Sequence, residues 1–274
     1  VRTAFVDDAG GPLGRRLVDL LRESGVEVVG GAGTARDADV VFAVGDVDGT
    51  GGERYAAMRR ANVDGLSRLL EEARSGQRVV LLSSVAVYAP APWPAQWPVG
   101  EDHPRRAHGE WPHQVYAQQK IEAENRLVRA ADAGGFDYVL VRSELRTGVD
   151  GLPGRVLADA AARPRLALSR HRALGAMQWV SLDDACRALV ATGASHRAAG
   201  EAFNVAGDRV VTVLSVIDHL HGAAQRATLP LRRFDNAKAR ALLGWVPQDS
   251  LGAAVADVPR AGPALGGAPM PGGR

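Results

Sequence analysis

The sequence predicts an α/β fold, a doubly wound parallel sheet with a small C-terminal lobe. Three observations predict it. Five short, nearly continuous apolar segments fall within the first 142 residues, the pattern of strands buried on both faces. Stretches with helical apolar spacing alternate with them. A glycine-rich turn, DDAGGPLG, joins the first apolar segment to the first helix.

Residues 2–6 (RTAFV) read as the first strand. The helix after the turn carries Leu13, Leu17, Leu20 and Leu21 at the 3.6-residue period of one buried face, and Gly11 and Pro12 suit its N-cap and first position. Strands follow at 26–30 (VEVVG) and 39–44 (DVVFAV), and a helix at 53–74 with Met58, Ala61, Leu66, Leu69 and Leu70 inward. RVVLLSS (78–84) is the fourth strand, 115–133 a helix and DYVLVR (137–142) the fifth strand. Beyond it, MQWVSLDDACRALVATG reads as a short strand and a helix capped by Ser181 or Asp183. EAFNVAG is another short strand, and VTVLSVIDHLHGAAQ opens strand-like and turns helical. DNAKARALLGW is a helix capped by Asp235 or Asn236 and stopped by Gly244. The organisation expected is a mainly ligand-binding sheet domain at 1–142, a mixed region completing the sheet and forming the lobe at 143–257, and a Gly/Pro/Ala tail at 258–274 that does not pack.

Composition narrows the functions. At 274 residues, 46% hydrophobic and 23% charged, the chain is globular in character. No apolar run nears the roughly 20 residues that cross a bilayer, and no leader is read at the strand-like start. A single cysteine, Cys186, excludes an internal disulfide and suits a reducing, cytoplasmic setting. A net charge of +2, with few aromatics and none interleaved with basic residues, argues against nucleic acid. A small-molecule substrate is the partner expected, with a homodimer left open.

The turn after the first strand is where a doubly wound sheet receives a dinucleotide, its pyrophosphate against the helix N-terminus. Gly11 and Gly14 have the spacing, with Pro12 and Leu13 between them; Asp8 stands where a third glycine would sit. A stronger signal is YAQQK. Tyr116 and Lys120 share one helix face. A nearby ammonium favours phenolate and draws tyrosine from its reference pKa of about 10 toward useful acid/base range. Of 33 basic residues only Lys120 and Lys238 are lysine, so a lysine here is improbable by chance. Ser84 ends the fourth strand, at the edge where open α/β sheets bind ligands.

The order of the glycine turn, NVDG (62–65), SSVAVY (83–88), YAQQK (116–120), WVSLDDACRAL (179–189), GEAFNVAG (200–207) and DNAKARALLGW (235–245) resembles the extended short-chain dehydrogenase/reductases, specifically the NAD-dependent epimerase/dehydratase group. The likeness covers about residues 2–255. It implies a Rossmann-type sheet and a nicotinamide cofactor. It also implies that Ser84 polarises the substrate oxygen, Tyr116 exchanges the proton, and Lys120 binds the nicotinamide ribose and tunes Tyr116. Asn62 would place the lysine through the local helix and a water, and Asp183 and Asn204 would be structural.

The departures concern the cofactor. A carboxylate at Asp8, about 5 Å from a pyrophosphate charge at an effective dielectric near 20, costs roughly 3 kcal/mol per charge pair. The ribose-binding acid that usually ends the second strand is missing, with Gly31 and Ala32 near its position. Arg36, with Arg15 or Arg16, would accept a 2′-phosphate, which tilts the expectation from NAD slightly toward NADP. The connection between the second and third strands, GAGTARDA, leaves no room for the family's helix, and the third strand ends in AVGD rather than an alanine–glycine turn.

On the substrate side, 89–114 holds Trp93, Trp97, Trp111, His103, His108 and His113 and would line or cover a pocket. The five-residue histidine spacing fits no short metal-binding motif, so no metal is expected. Arg142, Arg146, Arg155 and Arg172 are candidates for an anionic substrate group. Three readings result: an epimerase, dehydratase or ketone reductase acting on a nucleotide sugar or small secondary-metabolite carbonyl; the same residues doing non-redox cyclisation or elimination; or a cofactor-sensing binding protein.

Overall fold

The computed structural model describes residues 1–30, 34–49, 54–90, 98–110, 112–144, 146–147, 152–171, 177–222 and 234–248. The candidates Gly31, Ala32, Trp93, Trp97, Trp111 and Arg172, the side chains of Arg146 and Arg155, and the tail lie outside what is described.

Six parallel strands form the main sheet in the order β2-β1-β3-β4-β5-β8: β1 Thr3–Val6, β2 Glu27–Val28, β3 Val40–Ala43, β4 Arg78–Ser84, β5 Asp137–Ser143 and β8 Glu201–Val205. The chain reverses at β1/β3, the point at which ligands meet such sheets. Successive strand residues point to opposite faces of the sheet, and the inner strands are buried on both, with every residue of β3 and β4 buried. Val40, Phe42, Val80, Leu82, Val139 and Val141 face α1 (Pro12–Glu23), α7 (Leu182–Ala194) and α9 (Ala237–Leu243). Val41, Ala43, Val79, Leu81 and Leu140 face α3 (Gly65–Glu72) and α4 (His113–Gly134).

The helix read at 53–74 is broken. α2 (Tyr55–Arg59) passes through a π-helical turn, Arg60–Asp64, into α3. Between β2 and β3 the described chain holds one 3-10 turn, Ala35–Asp37, capped by Thr34 and Asp37, where a helix would otherwise stand. Ser181 caps α7 by accepting the Asp184 N–H, and Asn236 precedes α9, which ends at left-handed Gly244. A separate apolar cluster joins α5 (Leu152–Ala162), α6 (Pro164–His171) and α8 (Val213–Leu220) around Trp179 and Met177. β6 (Arg146–Thr147) and β7 (Val180–Ser181) pair beside it. Among the described residues no helix is long and apolar enough to cross a membrane.

Candidate active site

The site forms where β3, β4 and α4 meet. α4 starts after Pro112, ends at left-handed Gly135, and buries Tyr116, Lys120, Glu124, Leu127 and Ala131 along one stripe. The stripe is polar at its N-terminal half, so each buried polar group there needs a partner. Lys120 is 0% exposed. Its ammonium donates to the Leu82 carbonyl at 3.0 Å and pairs with Asp46 Oδ1 at 3.0 Å. The Tyr116 hydroxyl donates to the same Oδ1 at 2.9 Å. One carboxylate oxygen thus joins the phenol and the ammonium, and Lys120 Nζ sits 5.7 Å from the Tyr116 ring centre.

Asp46 lies just past β3, and Asn62 holds the backbone beside it. Asn62, 2% exposed on the π turn, accepts the Val47 N–H at 3.0 Å and donates to the Val47 carbonyl at 2.8 Å. It also donates to Gln119 Oε1 at 2.9 Å. Asn62 therefore fixes the residue after Asp46 and the residue before Lys120, a direct coupling of two segments. Asp46 is the functional residue the motifs miss. Its only signal in the sequence is the acid of AVGD at a strand end.

Ser84 is buried at the last position of β4, two residues past the carbonyl that receives Lys120. Its Oγ accepts the Ala86 N–H at 3.2 Å and caps a 3-10 turn, Val85–Val87. Ser83 donates to Glu124 at 2.6 Å. Glu124 also receives Arg142 Nε and Nη2, both at 2.9 Å, and Arg105 at 2.7 Å. This corrects the reading of Arg142 as an anion-binding residue, since its guanidinium is buried and spent on Glu124, Tyr88 and the Glu101 carbonyl. Burial pushes the Glu124 carboxyl up; the hydrogen bonds and charge of Arg142, with Ser83 and Arg105, outweigh it and leave the group below the usual range. Burial also pushes the Tyr88 phenol up to about 12. Its hydroxyl donates to Asn204, a structural partner that also bonds the Val99 and Asp235 carbonyls. His103 and His108 bond the Ala89 and Arg106 carbonyls, and no metal-binding cluster forms among the described residues.

At the head of α1 the turn is tight. A Cβ on Gly14 would sit 1.7 Å from the Asp8 carbonyl oxygen, and one on Gly11 would sit 2.4 Å from Asp8 Oδ2, while Gly10 faces open space. Asp7 accepts the Val44 and Gly45 N–H groups at 2.7 and 3.1 Å, tying the ends of β1 and β3 together. Arg16 is taken up by Asp183 and Glu23, and Arg15 reaches back to the Gly10 carbonyl. Arg36 is exposed on the 3-10 turn.

The sequence pattern of one family matches residues 34–206: NAD dependent epimerase/dehydratase. The chain belongs to that family. It is an enzyme of the NAD-dependent epimerase/dehydratase kind, as its motif order implies. No curated relative matches the sequence. Three solved structures are similar. A short-chain dehydrogenase/reductase superfamily protein from Agrobacterium tumefaciens with bound NAD is 20% identical, with 93% of this chain and 95% of that one covered and a TM-score of 0.69. RMD from Pseudomonas aeruginosa complexed with NADPH is 18% identical, covering 94% and 99% at a TM-score of 0.70. UDP-glucuronic acid 4-epimerase from Bacillus cereus in complex with NAD is 17% identical, covering 92% and 94% at 0.70. At these identities the likeness is one of fold.

The residues of this epimerase/dehydratase fit a nicotinamide dinucleotide at two places. The α1 N-terminus has Pro12 in its first turn, no acidic residue there and a glycine cradle open at Gly10. Its first N–H groups lack intrahelical partners and are anion donors. At the other end Tyr116 and Lys120 are paired in place on the strand edge. Between them the family site is altered by carboxylates: Asp8 fills the space over Gly11, and Asp46 engages the ammonium and the phenol.

Proposed function

We propose that the enzyme carries out nicotinamide-dependent epimerisation, dehydration or carbonyl reduction with Tyr116 as proton-exchanging residue. The observation that carries this reading is the single Asp46 oxygen shared by Tyr116 and Lys120 at the carboxyl edge of the sheet. Ser84 is assigned to hold the substrate oxygen, and Lys120 to stabilise phenolate character at Tyr116 and to orient a ribose hydroxyl. Asn62 keeps the Asp46 and Lys120 segments in register. When bound, the nicotinamide supplies the hydride donor or acceptor. Gly11, Pro12, Leu13 and Gly14 would cradle its pyrophosphate. Arg36 is assigned to a 2′-phosphate, which favours NADPH over NADH; Arg16 has its own acids. The substrate class is a nucleotide sugar, as in the name of the Bacillus cereus neighbour, or a small carbonyl compound.

Proton transfer of this kind contributes about 10²–10⁴-fold, so Tyr116→Phe is expected to lower kcat by at least 100-fold with an unchanged circular dichroism spectrum. Wild-type rates in that variant would exclude the assignment. The crowded carboxylates favour a second reading, proton chemistry without net redox. Activity that survives complete removal of nucleotide, with no NADH or NADPH binding in a fluorescence titration, would select it over the first.

A further inference from the structure

The groups that the proposed function reserves for ligands are already held by a side chain of the protein. Lys120 is wholly buried, and its ammonium faces two oxygens, those of Leu82 and Asp46. Only the second is charged. Tyr116 donates to that same oxygen. Asp46 is itself screened from solvent, with 8% of its side chain exposed. Its backbone is not free to drift, since Asn62 binds both the N–H and the carbonyl of Val47.

We propose that Asp46 is an internal competitor for the nucleotide: its carboxylate holds Lys120 and Tyr116 before a ligand arrives and weakens nicotinamide dinucleotide binding until it turns aside. The inference rests on the reading of Tyr116 and Lys120 under the proposed function. A ribose hydroxyl that takes the ammonium replaces a charge-to-charge contact by a charge-to-dipole one, a poorer exchange in a site shielded from water. The incoming phosphates add a second penalty, because the same sheet edge carries the Asp8 carboxylate beside Gly11. Asp46 is thus a specificity-determining residue: it admits a ligand only if that ligand offers Lys120 and Tyr116 enough to displace a carboxylate.

The test is equilibrium titration of the full chain with NADH and with NADPH, read by tryptophan fluorescence and by calorimetry. Wild type, Asp46→Ala and Asp46→Asn are compared, each checked by circular dichroism. Both variants are expected to bind at least tenfold more tightly than wild type. A Lys120→Met background should erase the gain, since the competition runs through the ammonium. A residue that merely braced Lys120 would give the opposite result, because its loss loosens the site and weakens binding. Equal or weaker binding in the variants overturns the proposal and leaves the catalytic assignment standing. Absence of binding in wild type and variants alike overturns both. Asp46→Asn keeps the shape of the side chain, so the comparison holds if Asp46→Ala does not fold.

Discussion

Asn62 shows how much one buried amide can organise. Its two polar atoms satisfy both backbone groups of Val47, and the amide nitrogen also reaches Gln119. Truncation to alanine leaves the part-buried Val47 N–H and carbonyl and the buried Gln119 oxygen without this partner, and a buried unsatisfied group costs about 1–3 kcal/mol. Asn62→Ala is therefore expected to lose on the order of 2–3 kcal/mol in urea denaturation, with kcat falling as Asp46 and Lys120 lose register. A change under about 0.5 kcal/mol would show that water replaces the amide. The NVDG motif made Asn62 readable as a helper of the lysine. Its actual partners were not readable, because Val47 and Gln119 lie 15 and 57 residues away. Asp46 was hidden for a related reason: an acid at a strand end becomes chemical only when a helix 70 residues later delivers a phenol to it.

Strands and helices whose apolar spacing is regular were legible. β4 runs Arg78–Ser84, as RVVLLSS predicts, and α4 and α7 start and stop close to their expected limits. The π turn was not legible. Periodicity of Met58 and Leu66 is compatible with one continuous helix, and the wider turn serves to aim Asn62, a hydrogen-bonding demand that apolar spacing does not record. The glycine turn offers a sharper test of what an element needs. At Gly14 an added methyl meets the backbone oxygen of Asp8 at 1.7 Å, so the turn itself must move. At Gly11 the obstruction is Asp8 Oδ2, the end of a side chain that can rotate. Overpacking of the first kind costs about 1–3 kcal/mol. Gly14→Ala should therefore sit near the top of that range in chemical denaturation, and Gly11→Ala should lose well under half as much. The reverse order would mean that the Asp8 carboxylate, rather than its backbone, sets the shape of the turn.

Across the whole molecule, β4, α4, β5, β8 and the 98–110 segment are joined beneath the site by one charged network. Glu124 receives Ser83, Arg105 and Arg142; Arg142 continues to Tyr88 and the Glu101 carbonyl; Tyr88 continues to Asn204, whose N–H meets Glu101. Each residue reads as ordinary by itself, and only the closed fold assembles them. Because the Glu124 carboxyl is held below its ordinary value, folding favours its charged form. That contribution is fully present above the unfolded glutamate pKa of about 4.3 and is lost as pH falls through the lower folded value. Glu124→Gln removes the charge while leaving Arg142 buried, a change that costs about 3–5 kcal/mol when one partner of a buried pair is lost. The deficit should be largest near neutral pH, begin to shrink as pH falls past about 4.3, where the unfolded glutamate takes up its proton, and level off once the pH is below the lower folded value. Urea melts of both proteins between pH 7 and pH 3 measure this, and a deficit that stays constant across the series would mean that the network is held by packing and not by the charge on Glu124.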